Sequence, residues 1–184
     1  MKTILQKDEI ILHRSAKMVP VKEIGSEKIN QIITDMIEAM SEQKDGVAIA
    51  APQIGISLRI FVISGDLLKK ALKQDHDESQ KKHKNQTGNL VFINPKIIKS
   101  SKEKKKMEEG CLSVRWLYGN VNRSTRVTLS FYNQKGEQFE RGASGLLAQI
   151  FQHECDHLEG KLFIDKAEEI WEMSEEEIRE LQKK

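Results

Sequence analysis

His153-Glu154-Cys155-Asp156-His157 sets two imidazoles four residues apart, with carboxylates between them. On a helix, residues i and i+4 share one face about a turn apart, so His153 and His157 can grip a single metal ion. Glu154, beside the first histidine, can reach a water on that ion. Acidified water with a carboxylate base next to it is the machinery for attacking a carbonyl at neutral pH.

A catalytic ion of this kind takes three protein ligands and keeps a fourth position open. In metzincin proteases the pattern continues through a glycine to a third histidine. Gly160 is in place, but Phe163 stands where that histidine belongs. A glutamate ligand, as in thermolysin-like proteases, would have to come from 168–180, which reads as a terminal surface segment. Cys111 is the better candidate. It lies in Glu108-Glu109-Gly110-Cys111-Leu112-Ser113, where Gly110 permits a tight backbone beside a thiolate. A free cysteine is more often a buried packing residue. Cys155 reads that way, because two residues place it about 200° around the helix from His153.

Several elements must position these groups. Ile29, Ile32, Ile33, Met36, Ile37 and Met40 recur at three and four, which predicts a core-facing helix over 26–45 with Ser26 as N-cap and Gly46 beyond its end. Gly46 to Gly55 is rich in small residues and interrupted by Pro52, a segment suited to close backbone approach. Leu58–Ile63 reads as a buried strand, Val91–Pro95 as a strand stopped by its proline, and Lys96–Cys111 as an exposed charged hairpin. Arg126–Tyr132 alternates and turns through Asn133–Gly136 into Gln138–Arg141. The motif helix follows, capped by Ser144, ended at Gly160, and burying Leu146, Leu147, Ile150 and Phe151. Ser174–Lys184 can form a short helix with glutamates early and lysines late. This order predicts an α+β fold, a single domain over 1–184 with mostly antiparallel short strands around a buried central helix.

Bulk properties narrow the function. The 184 residues are 38% hydrophobic and 32% charged, as in a globular protein, with a formal net charge of +2. That charge is too small to point to nucleic acid, and no specific DNA is expected. No apolar run approaches the ~18–20 residues that span a membrane, and Met1–Asp8 does not read as a signal peptide. Two cysteines make no disulfide framework, so a reduced cytoplasmic protein is expected. Residues 66–89 read as a polar surface insertion with His76 and His83 exposed, and 167–184 as a short C-terminal segment.

Three segments in order resemble the peptide deformylase family: Gly46-Val47-Ala48-Ile49-Ala50-Ala51-Pro52-Gln53, then Glu109-Gly110-Cys111-Leu112-Ser113, then Gln152-His153-Glu154-Cys155-Asp156-His157. Ile4-Leu5-Gln6 and Leu158–Asp165 are also similar, so the likeness covers about 3–166. It implies one ion per chain on Cys111, His153 and His157: Fe2+, with Ni2+, Co2+ or Zn2+ as substitutes. It implies Glu154 as base, with the Gln53 amide and the Leu112 backbone N–H donating to the oxyanion. The expected reaction removes the formyl group from the initiator formyl-methionine of new polypeptides, releasing formate. Val47, Ala48, Glu109, Gly110, Leu146, Gln149 and Ile150 match substrate-pocket positions, and Arg123 and Asp156 match supporting ones. Nascent N-formyl-methionyl peptides are the expected partners; Ser174–Lys184 reads first as a solvated end helix, with docking on the ribosome as the alternative. Three residues depart from the family: Ala48 replaces a glycine, Arg115 a common proline, and Gln149 an apolar residue. If the backbone at position 48 needed positive φ, alanine would strain it. The rival readings are an inactive deformylase-like metal-binding protein and a small zinc endopeptidase. The cysteine ligand and Gln53 count against the endopeptidase, and Glu154 and Gln53 against the inactive protein.

Overall fold

A computed structural model of the chain describes residues 2–66, 69 and 88–183. In chain order the elements are α1 (Glu27–Ser41), β1 (Ala48–Ala50), β2 (Ile60–Ile63), β3 (Leu90–Ser100), β4 (Lys104–Gly110), β5 (Leu117–Ser124), β6 (Arg126–Tyr132), β7 (Gln138–Ser144), α2 (Gly145–Leu158), β8 (Glu169–Glu172) and α3 (Glu175–Lys183). Two sheets result, ordered β1-β2-β3-β6-β7 and β4-β5-β8. Every pairing within them is antiparallel. The fold is α+β, as the sequence implies.

The side-chain period of β2 explains the layering. Successive residues point to opposite faces, so Phe61 and Ile63 join one core while Ile60 and Val62 join another. The first core lies under α2, where Phe61, Phe92 and Phe151 meet Leu147 and Leu158. The second lies under α1, through Ile29, Ile33, Met36 and Met40. With both faces covered, β2 is apolar throughout. Ser26 caps α1, its side chain accepting from the Ile29 N–H at 3.3 Å. The smaller sheet packs Val121 against Leu12, Val114, Leu162 and Phe163.

The structure departs from the sequence reading at several points. β3 does not stop at Pro95 but runs to Ser100. Its register against β6 shifts between Ile93 and Lys96, and Asn94 takes φ 51°, so the proline falls at an irregularity where its missing donor is tolerated. α1 ends at Ser41, short of 45. Ser144 occupies the N-cap of α2 without a side-chain cap hydrogen bond. Leu146 is not buried but 42% exposed, because α2 turns that position to a cleft instead of to the sheet. The segment after 166 is not merely terminal: β8 pairs with β5. The helix beyond it carries a reciprocal cap, the Ser174 N–H donating to Glu177 Oε2 at 2.8 Å and the Glu177 N–H to Ser174 Oγ at 3.3 Å. Most of the 66–89 insertion, with His76 and His83, lies outside the described residues.

α2 ends where the sequence places its stop. Gly160 takes φ +71°, its N–H donates to the His157 carbonyl, and the Lys161 N–H donates to the Asp156 carbonyl. A Cβ there would also lie 2.7 Å from the Arg14 backbone. The first core turns on Phe92, whose ring centroid is 4.5 Å from Phe61, 4.6 Å from Phe131 and 5.2 Å from Phe151. Phe92→Ala should destabilise the protein by about 3–5 kcal/mol in urea unfolding, and a loss under about 1 kcal/mol would contradict this packing.

Candidate metal centre

β4 delivers Cys111 just past its last residue, and α2 delivers His153 and His157 on one face. One ligand atom from each of the three lies within 4.8 Å of the others. Cys111 Sγ is 3.2 Å from His157 Nε2, and the two imidazole centroids are 5.0 Å apart. Gly110 is what lets β4 deliver the cysteine here. A Cβ on it would come within 2.6 Å of the Tyr118 ring across the β4–β5 pair.

His153 is held by a buried chain of charges. Its Nδ1 lies 2.9 Å from Glu109 Oε2, which places the proton on that nitrogen and leaves Nε2 as a donor to a metal. Arg123 forks onto Glu109 with bonds of 2.7 and 2.8 Å and reaches Asp156 at 2.6 Å. Lys166 completes the chain on Asp156, also at 2.6 Å. Burial would raise the Glu109 carboxyl, but its bonds to Arg123 and His153 hold it down to about 2. Burial also works against a charged His153, yet its bonds to Cys111 and Glu109 raise its pKa well above the ordinary range. For Cys111, burial is again outweighed, by the His157 charge and bonds from both histidines, and the thiol falls to about 5. A thiolate is the form in which cysteine binds a metal. Cys155 is the opposite case: burial pushes it up to about 12, and it lies outside the ligand cluster.

Glu154 is 3% exposed, and its Oε2 has no hydrogen-bond partner. Burial lifts its carboxyl to about 7, with the charges of His153 and His157 pulling the other way. A buried carboxylate oxygen without a partner beside a thiolate and two imidazoles fits a site built for a cation and the water on it. Gln53 sits in the 3-10 turn Ala51–Ile54. Its Oε1 accepts from the Ala50 N–H at 2.8 Å, which aims Nε2 at Ser113 Oγ (3.0 Å) and Cys111 Sγ (3.5 Å).

These groups open onto a cavity of about 280 Å³. Val47, Ala48, Glu109, Gly110, Leu112, Leu146, Gln149 and Ile150 all line it, together with Gln53, Cys111, His153 and Glu154. Within that set Glu109 has a different setting from the one the sequence suggests, since its carboxylate is engaged by His153 and Arg123. The Gln149 amide donates to the Glu108 carbonyl at 2.7 Å, so that N–H is satisfied by backbone. Ala48 does not have positive φ and pairs with Ile63 in β1, which removes the strain argument and leaves a methyl that narrows the cleft. The sequence reading missed Asp45, Trp116 and Tyr118 on the cavity wall, the Ser113 contact to Gln53, and Lys166. It also missed the Gln152 amide, which exchanges hydrogen bonds of 2.9 Å with the Ser124 backbone and ties α2 to β5. Ser113 and Gln152 lie inside the quoted motifs, but the contacts themselves carry no local pattern, because each acts across the fold. Glu109→Gln should weaken metal binding about 10–100-fold in a chelator competition, as loss of a partner to a ligand histidine does. Unchanged affinity would show that the carboxylate does not orient His153.

A family model described as polypeptide deformylase matches residues 1–172, which takes in β8. The chain is 39% identical over 165 residues to peptide deformylase 1A, chloroplastic/mitochondrial, of Arabidopsis thaliana, covering 89% of this chain and 60% of that protein. It thus spans about three fifths of the length of that plant relative. The peptide deformylase structure from Thermotoga maritima superposes with a TM-score of 0.75 at 34% identity, covering 92% of this chain and 99% of that one. A class I type b peptide deformylase from Acinetobacter baumannii, solved with Met-Ala-Ser bound, superposes at 0.74 with 32% identity, covering 90% and 99%. The chain belongs to the peptide deformylase family.

Proposed function

We propose that this protein hydrolyses the formyl group from N-formyl-methionyl peptides, releasing formate and a free N-terminal methionine. The observation that carries this reading is the meeting of Cys111, His153 and His157 with the buried, unpartnered Glu154 oxygen, Cys111, His153 and Glu154 lining one cleft. The peptide bound in the A. baumannii relative is what remains when formyl-Met-Ala-Ser loses its formyl group, which supports the substrate class.

Cys111, His153 and His157 would hold one divalent ion. The thiolate–imidazole set suits several divalent ions; family membership points to Fe2+, with Ni2+, Co2+ or Zn2+ as substitutes. Bound there, the ion supplies Lewis acidity, making water a nucleophile near neutral pH and polarising the formyl carbonyl. Glu154 takes the proton of the attacking water and returns it to the departing amine. Its oxygen, buried and without a protein partner, is free to serve both transfers. The Gln53 amide and the Leu112 backbone N–H donate to the oxyanion as it develops. Val47, Ala48, Leu146, Gln149 and Ile150 receive the methionine side chain along the cleft they line. Glu109, Arg123 and Asp156 keep His153 in place without touching the substrate.

No described helix is long and apolar enough to cross a membrane. We place the enzyme in the cytoplasm, where free Cys111 and Cys155 stay reduced, acting on newly made chains.

Formate release from formyl-Met-Ala-Ser by anaerobically purified, Fe2+-loaded protein tests the activity. Glu154→Ala should abolish turnover while retaining the ion, and Gln53→Ala should lower kcat by about 10²–10³. Release that persists in Glu154→Ala would remove the proposed base. A folded, metal-loaded protein with no release would be the inactive relative. Cleavage inside an unformylated peptide would favour the endopeptidase.

A further inference from the structure

We propose that the Arg115–Asp45 ion pair is a specificity clasp, holding one wall of the cleft at a fixed distance from the peptide residue that follows the methionine. The inference rests on the deformylase reading and extends it to a part of the cleft that touches neither the ligands nor the base.

Arg115 lies in the loop between Cys111 and β5, and Asp45 in the segment between α1 and β1; both line the cavity. The guanidinium forks onto Asp45, with one nitrogen on Oδ2 and the other on Oδ1 at 2.9 Å, and that second nitrogen also reaches Gln43 Oε1 at 3.1 Å. The guanidinium carbon stands 4.5 Å above the Trp116 ring. The two side chains are only 18% and 23% exposed. A bidentate, partly buried pair with a stacked face holds its geometry better than an ordinary surface pair.

The loop is fastened elsewhere as well. Gln6 donates to the Leu112 carbonyl at 3.1 Å and accepts from the Arg115 N–H at 3.5 Å. Directly after these fixed points Trp116, Leu117 and Tyr118 line the cavity, which Val47, Ala48 and Leu146 also line. With Val47, Ala48, Leu146, Gln149 and Ile150 assigned to the methionine, the side formed by Asp45 and Arg115 to Tyr118 is the part of the lining left for the residue that follows it. Releasing the clasp therefore acts on binding and on the choice of second residue, and leaves proton transfer alone.

Two measurements test this. In a Trp171→Phe background Trp116 is the remaining tryptophan, and its acrylamide quenching reports whether the clasp covers it. Arg115→Met should raise the quenching constant, and the charge swap Arg115→Asp with Asp45→Arg should bring it back toward the starting value. In the kinetic arm, Arg115→Met should raise KM for formyl-Met-Ala-Ser about 5–10-fold with kcat within about twofold, the pattern of lost uniform binding. It should also narrow the difference in kcat/KM between alanine and tryptophan as the second residue, and the swap should restore part of that difference. Unchanged quenching overturns the clasp. Unchanged second-residue preference, or a fall in kcat with KM constant, overturns its role in specificity. A starting protein that releases no formate from any formyl peptide defeats the functional reading and the specificity claim together, while the quenching arm still decides whether the clasp exists.

Discussion

The buried ion chain from His153 through Glu109 and Arg123 to Asp156 is the constraint on which the site depends. Arg123 and Glu109 are 3% and 5% exposed, so both charges have left water. Such a pair does not add stability over an apolar substitute, but removing one member strands the other at a cost of about 3–5 kcal/mol. Its value here is direction. The Glu109 carboxylate accepts from one imidazole nitrogen and thereby fixes what the other can do. Because Glu109 lies on β4 and Asp156 on α2, the same guanidinium also sets the distance between the element that supplies Cys111 and the helix that supplies both histidines.

The rest of the fold brings these elements to that distance. The alternation in β2 buries both of its faces, which seats α2 on one side and α1 on the other. The Gln152 amide pins α2 to β5, and the Gly160 turn ends the helix directly after its second histidine. Gly110 lets β4 pass the Tyr118 ring without a side chain in the way. The site is thus built where two sheets and a helix converge, and Gln53 enters from a third segment whose own backbone N–H orients its amide.

Local chemistry was legible in the sequence. The i, i+4 histidines, the glutamate between them and a cysteine after glycine are patterns whose meaning survives without a fold, and so are the period of α1 and the alternation of β6. Long-range relations were not. Pro95 reads as a strand end because a proline breaks a regular ladder, and only the register shift beside Asn94 shows why the strand continues. Leu146 shares the helical stripe of the buried residues, and only the cleft makes that position a half-exposed wall. Glu109 reads as a pocket residue by position, while its partner Arg123 is fourteen residues away across a hairpin. β8 is too short and too exposed to announce itself, and it becomes a strand because β5 offers an edge.

X-ray absorption at the metal edge of the loaded protein decides the ligand set, because it reports ligand identity independently of turnover. One ion per chain is expected, coordinated by one sulfur and two imidazole nitrogens, with loss of the sulfur in Cys111→Ser. A wild-type spectrum without sulfur, or a sulfur shell that survives Cys111→Ser, would show that the metal is held elsewhere and would contradict the account.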